Sequence, residues 1–271
     1  MAHLAGKSGN VYVADYLLED CEDAWVSGTN GTAALETTLV KVGNGSAKTT
    51  ITAGIQVGDV IAYETMAAAR DVSTYTHILC WAYSNVTTAL LDYRIGLGTA
   101  AAGATPTTLV DIPALTATTW KYCHCTVVSG SPFSATTAGT IIGLESNANG
   151  ADGDILYLDD IRAAKNIAGI NTWSLDYTSD ALETTDFASA GVKSYIVGGS
   201  GWSGSFAGYK DGIPLSIGAI YGVELAESAT TTQMWLGNAI ITGVHPSVGA
   251  DGIASYSYDF QGTGNLTVSS T

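Results

Sequence analysis

Positive charge is scarce in this chain. Ten Lys and Arg stand against twenty-five Asp and Glu in 271 residues, for a formal net charge of −15. No basic cluster occurs. Tight binding to nucleic-acid phosphates needs Lys and Arg to release counterions, so nucleic-acid binding is a poor reading. Charge of either sign is also thin, at 13% of residues, while hydrophobic residues make up 46%. That balance describes a folded chain rather than a disordered one. It fits a surface partly covered by neighbours in an assembly, although small polar residues also make adequate surfaces. No cationic segment followed by an apolar run opens the sequence, so no secretory signal is expected. No apolar run approaches the roughly 20 residues that span a bilayer, so no membrane partner is expected. The sequons at Asn30, Asn44, Asn85 and Asn265 read as chance in a Thr-rich chain.

Catalytic patterns are missing too. Neither a G-x-S-x-G elbow nor a phosphate loop occurs. The Gly- and Ser-rich stretch "GSGWSGSFAG" (199–208) lacks the helix start and the Lys of a phosphate cradle. Asp159 and Asp160 are neighbours in a strand-like run, point to opposite faces, and cannot flank one bond. His3, His77, His124 and His245 have no evident nucleophile partner. The sequence reads as a non-enzyme with no catalytic residues. Cysteine is limited to Cys21, Cys80, Cys123 and Cys125. Without a secretory signal they are expected to be reduced and buried. A zinc reading uses His77 and Cys80 with Cys123, His124 and Cys125. Strand alternation opposes it, because Cys123 and Cys125 share a face that His124 does not.

Short β-runs separated by Gly, Asn, Asp and Thr clusters are what the sequence does contain. Residues 9–14 read as a strand. After "DYLLEDCEDAW" come runs at 47–54, 60–69, 76–84, 90–98, 120–128, 139–146 and 154–163. That spacing fits a two-sheet sandwich or jelly roll. The acidic "LEDCEDAW", the "GNGSAKTTI" segment, the aromatic strand "HILCWAYS", the Trp-bearing "PALTATTWKYCHCTV" and the closing "ILYLDDIR" together resemble jelly-roll modules of the carbohydrate-binding, lectin-like class. The resemblance covers roughly residues 17–163. It implies a structural calcium ion flanked by the N-terminal acids and the final strand, with Glu22 and Asp160 as the candidate ligands. The alternative is that these acids form a solvated edge or cap neighbouring backbone. Glycan binding needs exposed aromatic faces. The candidates are Trp81, Tyr83, Tyr93, Trp120 and Tyr122, with Trp81 and Tyr83 on one face of one strand and Trp120 and Tyr122 on one face of another. The competing reading makes them core.

Residues 166–271 differ in texture. "WSLDYTSDALETTDF", "GVKSYIVGGSGWSGSFAGYKDG", "AIITGVHPSVGADGIASYSYDFQGTG" and the terminal "LTVSS" occur in that order, and this set resembles the tail-tube proteins of long-tailed bacteriophages. Proteins of that family open with a short Gly-rich strand of the type "LAGKSGNVYV", followed closely by a "W-S-L" strand. Here Leu4 to Val13 supply the first, and Trp173, Ser174 and Leu175 the second, with roughly 150 residues between them. The expected architecture is all-β: a discontinuous tail-tube-type β-sandwich or barrel from residues 1–15 and 165–271, with a β-sandwich jelly roll, residues 16–164, inserted into it. The alternative leaves residues 1–15 with the jelly roll or as a free arm.

The tail-tube resemblance implies a virion structural protein, assembled in the host cytoplasm and resident in the phage tail. Its partners are copies of itself in hexameric, stacked rings, other virion proteins, and DNA that passes without specific binding. The jelly roll then projects outward and binds host surface glycans. Residues 166–271 carry nine acids against Lys193 and Lys210, a formal −7, which suits a DNA-repelling lumen or simply aids solubility. The segment 177–191 reads as a loop that is long for a hairpin connection; the resemblance implies that it reaches a neighbouring subunit or ring, with Asp180, Leu182, Glu183, Asp186 and Phe187 as the contact residues, and the alternative is a surface excursion with a short helix. The second overall reading is a capsid decoration or fibre-like carbohydrate-binding virion protein.

Overall fold

The computed structural model describes residues 9–100, 106–148, 151–186, 192–210, 212–228, 233–250 and 252–269. Among these the chain is all-β, with sixteen strands, one short 3-10 turn at Phe133–Ala135 and no α-helix. No described helix is long and apolar enough to cross a membrane. The strands fall into two compact units. Met1–Tyr12 with Ile167–Thr271 form unit 1, and Val13–Asn166 form unit 2. The divisions lie at 13 and 166, against the 16 and 164 read from sequence.

Unit 2 is a two-sheet sandwich. β3 (Gly31–Glu36), β4 (Ser46–Ile51), β11 (Ile155–Asn166), β6 (His77–Ser84) and β9 (Lys121–Val127) make the first sheet in that spatial order. β8 (Thr108–Asp111), β7 (Tyr93–Gly98), β10 (Gly139–Ser146), β5 (Val60–Arg70) and β2 (Val26–Ser27) make the second. β9 pairs with β6 along its first part and with β8 at Thr126 and Val127, so it stitches the two sheets together. Period-2 alternation sends Cys80, Ala82, Leu156 and Leu158 inward from the first sheet, and Ile95, Leu97, Ile142 and Leu144 inward from the second. Each fully buried aliphatic side chain of this kind contributes about 1.5–3 kcal/mol of transfer free energy. The short strands β2, β3 and β8 were not foreseen. They are two to six residues long and rich in small residues, so they carry little hydrophobic period.

Unit 1 is built from long antiparallel strands. β12 (Ile170–Glu183), β13 (Tyr195–Tyr209), β16 (Ser255–Ser269), β15 (Met234–Ser247) and β14 (Ile220–Ala226) lie in that order. β1 (Asn10–Glu19) follows β14, and the Ile167 N–H donates to the Val11 carbonyl at 3.0 Å. Residues 177–183 are therefore strand, which corrects the loop expected at 177–191. The run is polar on one side and apolar on the other only weakly, so it gave no clear alternation.

The unit 1 core is aromatic. Phe206 stacks on Tyr258 with centroids 5.0 Å apart and on Phe260 at 6.0 Å. Trp202 lies across Gly237 and Gly262, where any Cβ would meet the indole. Its Nε1 donates to the Gly264 carbonyl at 3.1 Å. The two glycines are thus the bed on which the ring lies flat. Replacing Gly262 by Ala should destabilise the chain by about 1–3 kcal/mol through overpacking. Gly201→Ala, where a Cβ meets nothing within 4 Å, is the control and should leave the urea midpoint close to wild type. A Gly262→Ala midpoint equal to the control's would rule out the flat-ring packing.

Candidate functional site

The sequence candidates for glycan contact divide once placed on strands. Trp81 stands opposite Tyr122 across β6 and β9, and Tyr83 follows beside Trp120 with ring centroids 5.5 Å apart. Register on the other side sets Tyr157 of β11 against Tyr83, and Lys48 of β4 against Tyr157. All of these point away from the sandwich core, because their neighbours Cys80, Ala82, Cys123 and Leu158 point into it. The outer face of the first sheet therefore carries a row Lys48–Tyr157–Tyr83–Trp120. Tyr157 meets Tyr83 edge-on at 5.3 Å, and Lys48 Nζ stands 5.8 Å from the Tyr157 ring.

Three of the five candidates need correction. Tyr93 lies on β7 in the core of the sandwich. Trp81 and Tyr122 share the outer face but are 2% and 0% exposed. The cause for Trp81 is the segment between β3 and β4, whose Lys41 Nζ sits 4.3 Å above the indole. Asp159 holds that segment in place, since its Oδ2 accepts the Lys41 and Val42 N–H groups at 2.8 and 2.9 Å. Tyr83 and Trp120 remain half-buried and reachable. The buried Trp120 Nε1 has no hydrogen-bond partner among the described residues. Tyr157 was missed because "ILYLDD" reads as an unbroken buried strand.

Charge on this face is balanced locally. Lys48 pairs with Glu36 at 3.6 Å. Burial lowers the Lys41 pKa and the nearby Asp159 raises it. The outer face of the second sheet is different in kind. There Arg94 pairs with Asp111 at 2.7 Å and with Glu145 at 3.7 Å, an ionic ladder across three strands. Among the described residues the first sheet carries a row of aromatics, whereas the outer face of the second has Tyr63 opposite Gly143.

The calcium pair is not assembled. Asp160 sits at a register shift in β11 with φ of 49°, and its carboxylate accepts Arg162 Nε at 2.7 Å. Arg162 thereby supplies the positive charge a cation would bring. Glu22 Oε1 accepts the Asn44 N–H at 2.7 Å, which fixes the turn before β4. These residues do not fit a calcium site as arranged; Glu22 and Asp159 are instead the two carboxylates that pin the segment before β4. The zinc set is also divided: Cys80, Cys123 and Cys125 face the core, while His77 and His124 stack at 4.1 Å on the opposite face. All four cysteines are free and buried.

In unit 1, Asp180, Leu182 and Glu183 lie on β12, Asp186 lies just beyond it, and Phe187 falls outside the described residues. From Asp176 to Glu183, and from Tyr195 to Val197, every residue is exposed. Leu182 stands opposite Ile196, and Ala181 opposite Val197, which is 83% exposed. The hairpin carries apolar side chains into water on both faces. At the other end of the same strands is an open cleft of about 440 Å³, lined by residues that include Tyr209, Pro246 and Tyr256. His245 at its wall pairs with Asp259 at 2.9 Å.

Two buried acids make stability depend on pH. Burial raises Asp159 to about 6, opposed by the Val42 and Lys41 N–H groups and reinforced by Asp160 and Glu22. Burial raises Glu19 to about 7, opposed by the Cys21 N–H and reinforced by Asp20, Asp23 and Glu64. Between about pH 4 and 7 the folded chain binds more protons than the unfolded one, so stability falls as pH rises through that window. Asp159 alone accounts for about 2 kcal/mol of the fall. The urea midpoint should drop from pH 4.5 to 7.5, and Asp159→Asn should flatten that drop. An unchanged pH dependence in the variant would remove Asp159 as its source.

No family model and no curated protein matches the chain. Among solved structures it is similar to a chain of the tail of an empty gene transfer agent (GTA) particle, refined helically with C6 symmetry. That chain is 17% identical, with a TM-score of 0.33, over 39% of this chain and 85% of that one. It is also similar to a chain of the virion of the native GTA particle, 17% identical with a TM-score of 0.31, over 39% of this chain and 88% of that one. Both likenesses are partial and carry no functional weight.

Proposed function

We propose that this chain is a virion structural protein, a tail-tube subunit that assembles with its own copies into stacked rings around a DNA conduit. The observation that carries the reading is the β12–β13 hairpin. An isolated two-stranded hairpin is marginal in water. This one extends beyond the rest of its sheet with Tyr177, Leu182, Tyr195, Ile196 and Val197 all exposed. Of eighteen exposed large hydrophobics among the described residues, thirteen belong to unit 1. A concentration of that kind marks a surface that another protein covers. The ordered sequence pieces that resemble tail-tube proteins occupy the same unit. The formal −7 of residues 166–271 suits a wall that DNA passes without arrest.

Purified protein viewed by electron microscopy should show rings or filaments about a central channel, with six subunits per ring. Monomers at high concentration would sink the reading. Decoration of capsids, or thin fibres without a channel, would favour the capsid-decoration or fibre-like role.

A second activity is favoured by the outer aromatic face of unit 2. Tyr83, Trp120 and Tyr157 are tilted or edge-on to one another, at 52° to 84°, so they do not form a wide flat platform. The available stacking area suits one sugar ring rather than a polysaccharide surface. The lysines beside it are neutralised by Glu36 and Asp159, so a neutral sugar is the fitting class. Neutral glycans should bind weakly and with little salt dependence, and Trp120→Ala should weaken them at least fivefold, about 1 kcal/mol. A glycan array that shows no neutral glycan, or a Trp120→Ala variant that binds like wild type, would remove this activity and leave the tube role standing.

A further inference from the structure

We infer that unit 2 carries a second binding site, a cleft between the β2–β3 turn and the start of β5 that takes a compact organic cation, an ammonium or guanidinium group. The inference is independent of the tube and glycan readings, because it uses the residues of neither. The cleft has a volume of about 350 Å³, and its lining includes Ser27, Thr29, Gly58, Asp59, Val60 and Tyr63. That size is at the small end of ligand sites and suits a head group rather than a polymer. Two glycines shape it. Gly58 has φ of 91°, in the left-handed region, and turns the chain into β5. Gly28 lies against the Val60 carbonyl, where any Cβ would collide with the oxygen. Asp59 is fixed in place, since its Oδ2 accepts the Gln56 N–H at 2.7 Å and Asn30 Nδ2 at 3.0 Å. Its Oδ1 makes no hydrogen bond among the described residues. Tyr63 is half-buried and stands opposite Val26 on one side and Gly143 on the other, so the glycine leaves that flank of the ring without a covering side chain.

Charge and the supply of donors select the ligand. An anion needs a positive side chain or free backbone N–H groups. No Lys or Arg lines the cleft among the described residues. The N–H groups of Gly28, Thr29, Gly58 and Asp59 are already spent on the carbonyls of Ile61, Val60, Ser146 and Gln56, at 2.8 to 3.1 Å. Phosphate, sulfate and carboxylate ligands therefore find nothing to hold them. What the cleft offers is a charged acceptor, an aromatic ring, and hydroxyls on Ser27 and Thr29 that take either role. An ammonium or guanidinium uses all three. One N–H makes a charge-assisted bond to Asp59, the charge lies against the Tyr63 ring, and further N–H groups reach the hydroxyls. A neutral polyol gains the hydrogen bonds but not the ionic term. A hard metal ion wants several oxygen ligands, and the lining supplies one carboxylate. Because Asp59 is held before the ligand arrives, little ordering is lost on binding. The formal −15 of the chain adds a field that concentrates cations near its surface at low salt.

The test is titration of the nitrogen-15-labelled full chain with butylammonium and methylguanidinium chloride, the bare head groups of Lys and Arg. Both should shift the amide resonances of residues 27–29 and 58–63, with a Kd of about 1 mM that weakens as NaCl is raised. N-butylacetamide, of similar length but uncharged, should shift nothing. Asp59→Asn should weaken binding about tenfold and Tyr63→Leu about threefold. A wild-type circular dichroism spectrum verifies folding of each variant, and should Asp59→Asn fail to fold, Tyr63→Leu decides. A blocked Gly-Lys-Gly peptide distinguishes the two sources of the cation. Tighter binding than butylammonium identifies a protein side chain, and equal binding a free small amine; both support the class. Absence of shifts with either cation, equal binding of N-butylacetamide, or folded variants that bind like wild type would overturn the site. Calcium chloride that shifts the same amides more strongly than either organic cation would overturn it in favour of a metal.

Discussion

One backbone hydrogen bond organises this chain: the Ile167 N–H to the Val11 carbonyl, 3.0 Å. The chain leaves unit 1 after Tyr12 and returns to it at Ile167. The bond ties the two crossing points together, so 154 residues, 13 through 166, are accommodated between neighbouring positions of unit 1. An insertion of that size is tolerated only when the ends of the guest are close, because otherwise the host strands would be pulled out of register. With the crossing points held together, each unit keeps its own core, and each can be read by itself.

The two units solve the solvent problem in opposite ways. Unit 2 buries its apolar side chains between two sheets and, among the described residues, leaves few large hydrophobics exposed, such as Val57 and the pair Leu90 and Leu91. Scattered exposure of that kind needs no partner. Unit 1 gathers its aromatics around Trp202 and leaves both ends of its long strands apolar and wet. A sheet with an unpaired edge strand and apolar ends is a template for association, and soluble proteins normally blunt such features. Here blunting takes the form of acids along β12, which disfavour pairing with an identical edge but leave the apolar ends available.

The sequence made the fold class legible because turn residues and short β-runs leave little room for helix. It made most strands of unit 2 legible for the same reason. What it hid follows from physics that one strand does not carry. Trp81 and Tyr83 look alike as alternating aromatics in "HILCWAYS". They differ because Lys41 and the Asp159-anchored segment cover one and not the other, a contact between residues 41, 81 and 159. Tyr157 was invisible because both faces of β11 are buried or half-buried along its central run, which erases period 2. Residues 177–183 looked like a loop because a strand exposed on both faces has no pattern to show. The acids at 159 and 160 were separated by a register shift, which turns Asp160 to Arg162 and leaves Asp159 to hold backbone.

Acidity sets the terms on which copies of this protein would meet in the proposed assembly. At a formal −15 per chain, approach of two copies is opposed at long range, and this opposition is screened beyond about 8 Å at physiological ionic strength. What remains at contact is short-ranged. The exposed apolar side chains of unit 1 would supply that term, and its net worth is what is left after the costs of association and of ordering side chains. In the proposed assembly the balance is decided by whether apolar surface meets apolar surface, because Asp180 and Glu183 lie among the exposed apolar side chains of the hairpin. In the proposed assembly net charge acts against contact at long range, and apolar surface acts for it at short range.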